Sequence, residues 1–490
     1  MSHTVNKLIS HGKEDPSMAE KVEERSSFQG FVRLAKTLPQ TAVEVVKGKY
    51  ACWKASQLLI KERRPLGWKE SSAHGIRDKL ERMLGDRGRV RDGAFGKEET
   101  APPLSPEDLE IVQSIRGSAL EANRSNITRT QAYYDCYQDY PELHWAFLAH
   151  MVSRNAGWNM TDLKGGLLSD VVTDKLREDM YQMLERSNAL IFLDAYPQLL
   201  LYIHSRRLGR SLFHLLPEFR VSGFMRPFWD RFWIERDSAQ LAVGLIINEQ
   251  NYIEGRVVQN SYFQKNILQS PIFALHSRFQ LNQIIFPMLV KTLPRMEAAD
   301  EKERETEIAP SPVSGPEPGR ETPDDCASGC RGMVGLILEH FSNLEERIAF
   351  GKALYAMLFG YKDVLAGVQA FAAATKHQGS REEYWPRLFT SSKKAALNSP
   401  EESTELLKSE WLPKGKRFYS PSLNEVWHDM PYEPITRYDW FKSRKAIDQV
   451  SRPKRPVLIE MTHAHRFAVQ KTALTHDAER AVAHTLEDTP

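Results

Sequence analysis

The sequence predicts an all-α protein, an irregular multi-helix array with an acidic disordered insertion, and three observations predict it. Apolar residues recur at spacings of three and four through residues 105–292 and again through 332–445. No run in these stretches shows period-two alternation bounded by hairpin signals. Between them, residues 294–325 hold six prolines and ten acidic residues against four basic ones, with almost nothing large and apolar. Such a segment cannot bury a core.

A chain of 490 residues has room for roughly two to four domains. Its 41% hydrophobic and 27% charged content supports a sizeable core. A net charge of +2 argues neither for nor against nucleic acid as a partner. Cys52, Cys136, Cys326 and Cys330 are too sparse for a disulfide framework, which points to a reducing compartment. "MSHTVNKLISHGKEDPS" has no apolar h-region, so a cytoplasmic location is expected and the N-x-[ST] sequons at Asn123, Asn126 and Asn159 read as chance. The most apolar window, "ALIFLDAYPQLLLYI", is interrupted by Asp194 and Pro197 and is too short to span a bilayer.

Residues 1–30 read as a disordered N-terminus and 31–104 as a basic helical extension and loop. Within 31–97, 16 Lys/Arg stand against 7 Asp/Glu. Val43, Val46, Tyr50, Trp53 and Ile60 form one apolar helical stripe, with Lys47, Lys49, Lys54 and Lys61 mostly off it. Such a helix can pack on a body, lie on an anionic membrane or track nucleic-acid phosphates. Residues 105–292 are the first part of the helical body. Ser105, Pro106 and Asp108 mark a helix start, Thr128-x-x-Gln131 a capping box, Pro141 the next first turn and Gly157 its stop. A longer helix covers 174–205 with a break at Pro197, and Asp237 caps another. Residues 293–331 are the acidic linker. In 332–445, the second part of the body, Ser342-x-x-Glu345 and Ser380-x-x-Glu383 repeat the capping pattern. Residues 446–490 read as a polar, mobile tail. The two parts are expected to form one body, with two separate domains as the alternative.

Three stretches put costly polar groups inside apolar helices. "HWAFLAHMVSRNAGWNMTDLKGG" begins at His144. Projected at 100° per residue, His144, His150 and Arg154 share an arc of about 120°, while apolar residues surround the helix. A buried Arg154 needs an acceptor, for which Asp162, Asp139, Glu142, Glu249 and Glu254 are candidates. "INEQNYIEGRVV" contributes Asn248, Glu249 and Asn251, and "NRSNITRT" contributes Asn123, Asn126 and Arg129 at a helix start. Brought together, these would form a polar pocket. His150, His144 and Glu249 would do acid–base work there. Asn126, Arg129, Arg154, Asn155, Asp162 and Asn251 would hold a phosphorylated or carboxylated substrate. The competing reading is a hydrogen-bonded network that fixes helix crossings.

"NITRT", "HWAFLAHMVSRNAGWNMTDLKG", "FWDRFWIERDSAQLAVGLIINEQNYIE" and "PSLNEVWHDMPY" together resemble the YppC-like family of uncharacterised cytoplasmic bacterial proteins, over roughly residues 105–445. The resemblance implies a soluble bacterial protein and carries no activity, cofactor or catalytic residue with it. Phosphate-loop, dinucleotide, zinc-protease and nucleophile-elbow motifs are absent from the sequence. Cys326-x-x-x-Cys330 and His463-x-His465 are too isolated for a closed metal site, so neither a metal nor a cofactor is implied. The aromatic-rich "FMRPFWDRFWIERD" reads as helix packing. A non-enzymatic interaction protein with a protein partner is the first functional reading. An enzyme with a His/Arg/Asn pocket and a membrane or nucleic-acid contact through residues 31–97 are the others.

Overall fold

The computed structural model describes residues 48–92, 104–166, 173–269, 283–289, 332–396, 417–430, 439–462, 464–465 and 469, with the backbone alone for 87–92. Residues 1–30, the linker 293–331, Cys326, Cys330 and His463 lie outside this set. The described chain is helical: α1 (48–59), α2 (Glu70–Asp92), α3 (Pro106–Ala122), α4 (Asn126–Asp139), α5 (His144–Asp162), α6 (Asp174–Leu208), α7 (Arg226–Glu235), α8 (Ser238–Ile253), α9 (Leu344–Gly360) and α10 (Lys362–Ala374). Single helical turns and short strands fill the joints.

Local chemistry accounts for several helix starts. Ser105 Oγ accepts from the Asp108 amide and Pro106 opens α3, as the sequence predicts. Asp237 Oδ1 accepts from the Ala239 and Gln240 amides at α8. At α4 the box is Ser125 with Thr128, one turn ahead of the predicted one. At α9 the cap is Asn343 rather than Ser342. α5 starts at His144, not Pro141, and runs past Gly157 to Asp162. α6 continues through Pro197.

α5 lies at the centre and packs against α4, α6, α8, α9 and the first strand. Trp145, Phe147, Met151 and Trp158 bury most of its circumference. Two six-residue strands flank the undescribed linker. Strand β1 (Gln283–Met288) pairs antiparallel with β2 (Gly332–Ile337), Gln283 opposite Ile337 and Met288 opposite Gly332. Residues 459–461 add a third line on β2: Gly335 N donates to Ile459 O and Met461 N to Met333 O, each at 2.8 Å. A small parallel pair joins β3 (Phe389–Thr390) to β4 (Phe418–Tyr419). Residues from both sides of the linker share one hydrophobic core, from Leu59 through Phe286 and Val334 to Met461.

Two expectations change. Residues 446–462 begin the stretch read as a mobile tail, yet Ile447, Val450, Ile459 and Met461 sit in the core, because β2 takes up the backbone groups that would otherwise want water. α1 buries a different face from the predicted stripe. Cys52, Ala55, Ser56 and Leu59 face inward, while Tyr50 and Trp53 face out; Val43 and Val46 lie outside the described residues. Small side chains let α1 come close enough for Ser56 Oγ to accept from the Ile459 and Glu460 amides, at 3.1 and 2.9 Å.

Candidate functional site

α4 and α5 carry the densest buried polar cluster. Asn126, the first residue of α4, donates from Nδ2 to Ser153 O at 2.9 Å and to its Oγ at 3.1 Å. That fixes the amide, and its Oδ1 faces His377 Nε2 at 2.9 Å. His377 Nδ1 faces Glu383, 3.1 and 3.2 Å from its two carboxylate oxygens. Glu383 Oε1 also accepts from the Gln378 and Gly379 amides at 2.6 and 2.7 Å, and Oε2 from Trp158 Nε1 at 3.2 Å. Burial alone would raise the Glu383 carboxyl; His377, Arg154 and the amides outweigh it and hold it below the usual range. Gly157 makes this meeting possible. A Cβ there would stand 2.5 Å from Asn126 Oδ1 and 2.6 Å from His377 Nε2.

One face of α5 continues the cluster. His150 Nδ1 lies 2.8 Å from the Thr130 carbonyl, which can only accept, so Nδ1 carries the proton. Nε2 is then a bare acceptor, and it has no hydrogen-bond partner among the described residues. Burial, then the nearby Arg154, pushes this imidazole well below its ordinary pKa. Arg154, one turn on, donates from Nη2 to Thr375 O and lies 5.1 Å over the Phe371 ring. Its Nε and Nη1 are buried and unpartnered. The carboxylate that acts on it is Glu383, not any of the five acceptors read from the sequence.

The other predicted site residues are dispersed. His144 stacks on Phe359 at 4.0 Å, touches the Tyr355 hydroxyl at 3.1 Å, and is pushed down to about 3 by burial. It is a neutral core residue, away from acid–base work at neutral pH. Glu249 lies on the opposite side of α5, accepting from Trp145 Nε1 at 3.2 Å, with burial raising it to about 8. Arg129 pairs with the buried Glu185 and donates to Asn123 O and Oδ1. Asn155 acts as a strand edge, donating to Ile285 O at 2.7 Å and accepting from Ile285 N at 2.9 Å. Asn251 bonds the carbonyl one turn back, Ile247 O. Asp162 takes Arg381 at 2.8, 2.9 and 2.6 Å, and Arg381 leads on through Tyr384 to His465. Thus Asn126, bonded to His377, lies in the same cluster as His150 and Arg154, which feel His377 and Glu383, and the remaining six bond elsewhere.

His377, Glu383 and Arg381 did not emerge from sequence reasoning as site residues. The one signal was Ser380-x-x-Glu383, and the cap reading was half right: Ser380 Oγ accepts from the Glu382 amide while Glu383 reaches back over two amides. Outside the cluster, Glu339, His340 and Glu346 bring ligand atoms within 4.8 Å of one another. They are largely exposed, and His340 already pairs with Glu346 at 2.9 Å.

Fold and cluster define a helical protein whose buried polar groups are split among separate networks. The family described as a protein of unknown function, DUF2515, matches residues 121–309 and 329–466, more than half of the chain, and the chain belongs to that family. It is similar to the uncharacterized protein YppC of Bacillus subtilis (strain 168), 39% identical over 272 residues, 56% of this chain and 72% of that protein. No solved structure matches. Among the described residues no helix is long and apolar enough to cross a membrane.

Proposed function

We propose that this is a non-enzymatic interaction protein of the bacterial cytoplasm that docks an acidic protein partner on the outer face of α1. One observation carries the reading. Tyr50 and Trp53 are 63% and 52% exposed and stack at 5.9 Å, on a helix whose other face is held in the core. Leu58, Val457 and Leu458 are also exposed, the last two just before the strand that meets Ser56. Lys49, Lys54, Lys61, Arg63 and Arg64 are exposed around them. Rigid aromatics within a basic rim are the composition of interaction hot spots, and the charge selects an acidic partner. The cytoplasmic placement is supported by the buried thiol of Cys136, pushed up to about 12 by burial. The division of the predicted pocket residues among separate networks weighs against the substrate-pocket reading. The α1 part of the docking face lies ahead of the family match, whereas Val457 and Leu458 lie within it, so the reading concerns this chain and not the whole family.

The test is a photo-crosslinking residue at position 53 in living cells, with position 120 on α3, also strongly exposed, as control. An acidic protein captured at 53, absent at 120 and lost when Lys49 and Lys54 become Glu, supports the reading. Lipid or nucleic-acid adducts at 53, or no adduct, overturn it.

A further inference from the structure

We infer that His150 and Arg154 form a buried binding site for a protonated oxyanion of the hydrogen-phosphate type. Both side chains are sealed, at 2% and 1% exposure, and sit one turn apart on the same face of α5. Among the described residues Arg154 has no partner for Nε–H or Nη1–H₂; the two lie on different edges of the guanidinium, so an oxyanion would meet Nη1–H₂ end-on or Nε–H side-on. Among the described residues its positive charge has no ion-pair partner of its own. Glu383 is the carboxylate that acts on it, and Glu383 is already committed to His377, Trp158 and two backbone amides. An uncompensated guanidinium in the interior is strongly disfavoured, and a bound anion removes that penalty.

His150 sets the selectivity. The Thr130 carbonyl fixes the proton on Nδ1, so Nε2 presents a lone pair. An oxygen without a proton would meet it lone pair to lone pair. An oxygen bearing a proton would donate to it. Hydrogen phosphate keeps one acidic proton at neutral pH, whereas sulfate and the dianion of a phosphate monoester do not. The groups facing His150 agree with a neutral ring: Arg154 on α5, the half-buried Tyr134 of α4 stacked on it at 4.7 Å, and His377 beyond, with burial the leading influence. Among the described residues no carboxylate acts on it that would hold a second proton. Entry requires a side chain to move, and Tyr134 is the partly exposed ring that covers His150. The Asn126–His377–Glu383 chain lies close enough for Glu383 to act on Arg154 and His377 on His150.

The experiment compares inorganic phosphate with sulfate at matched ionic strength and neutral pH on the full chain, by thermal shift and calorimetric titration. Phosphate is expected to bind and raise Tm. Sulfate is expected to bind at least about fivefold more weakly, the low end of the effect of leaving one buried polar group unmatched. His150→Gln, whose amide can donate, should narrow that gap. Arg154→Met should abolish phosphate binding, while Leu120→Ser on the exposed side of α3 should leave it unchanged. Equal binding of the two anions overturns the role given to His150. No binding of either by the native chain, or phosphate binding that survives Arg154→Met, overturns the site. The native comparison stands even if a variant fails to fold.

Discussion

Two buried arginines show how much depends on a partner. Arg381 meets Asp162 through three contacts of 2.6–2.9 Å, and both are sealed from solvent. Arg381→Met would strand a buried carboxylate, and a loss of about 3–5 kcal/mol is expected. Arg154→Met would remove a guanidinium that lacks an ion pair and bonds one carbonyl, so a change of about 1 kcal/mol in either direction is expected. Urea unfolding of the two variants decides the matter; similar losses would contradict this reading of Arg154. The sequence showed that Arg154 and His150 share a face, because helical spacing alone dictates it. It could not show the acceptor. Thr375, His377 and Glu383 are more than two hundred residues away, on a loop with no periodic pattern to mark it.

Helices were legible where capping chemistry and apolar spacing agreed, as at Ser105 for α3 and Asp237 for α8. Gly157 misled because glycine more often ends a helix than sits inside one; here close approach of Asn126 and His377 demands it mid-helix. The stripe on α1 misled because burial follows what can approach closely, and Ser56 with Ala55 outcompeted Tyr50 and Trp53. β1 and β2 were missed since short apolar runs look alike in helix and strand, and their pairing spans the undescribed linker. The contact between α6 and α8 makes its own prediction. Asp194 accepts from Gln198 Nε2 at 3.0 Å and from Asn248, which in turn accepts from Trp440 at 2.9 Å. Burial outweighs these bonds and raises the carboxyl from 3.8 to about 7. The folded state therefore keeps a proton that the unfolded chain releases near pH 4, so this group's contribution to stability falls as pH rises from about 4 to about 7, by at most about 1.4 kcal/mol per pH unit. Asp194→Asn should flatten that fall. Denaturant midpoints measured across this range with an unchanged slope would show that the proton is not held there.

For the whole molecule, the β1–β2 pairing and the shared core on both sides of residues 293–331 make one helical body the proposed organisation. The acidic, proline-rich composition of 293–331 predicts that brief proteolysis cuts there first and that the two halves still elute together on sizing. Halves that separate would favour two domains, and resistance of 293–331 to cleavage would count against its expected disorder. The strand at 459–461 reaches further. It closes on β2 and, through Ser56, on α1, linking residues 403 positions apart in sequence. Contacts between such distant positions cannot form while the chain is still emerging from the ribosome. Until residues 459–461 have been made, Ser56 lacks the two amides from which it accepts, so this contact of α1 forms late in synthesis.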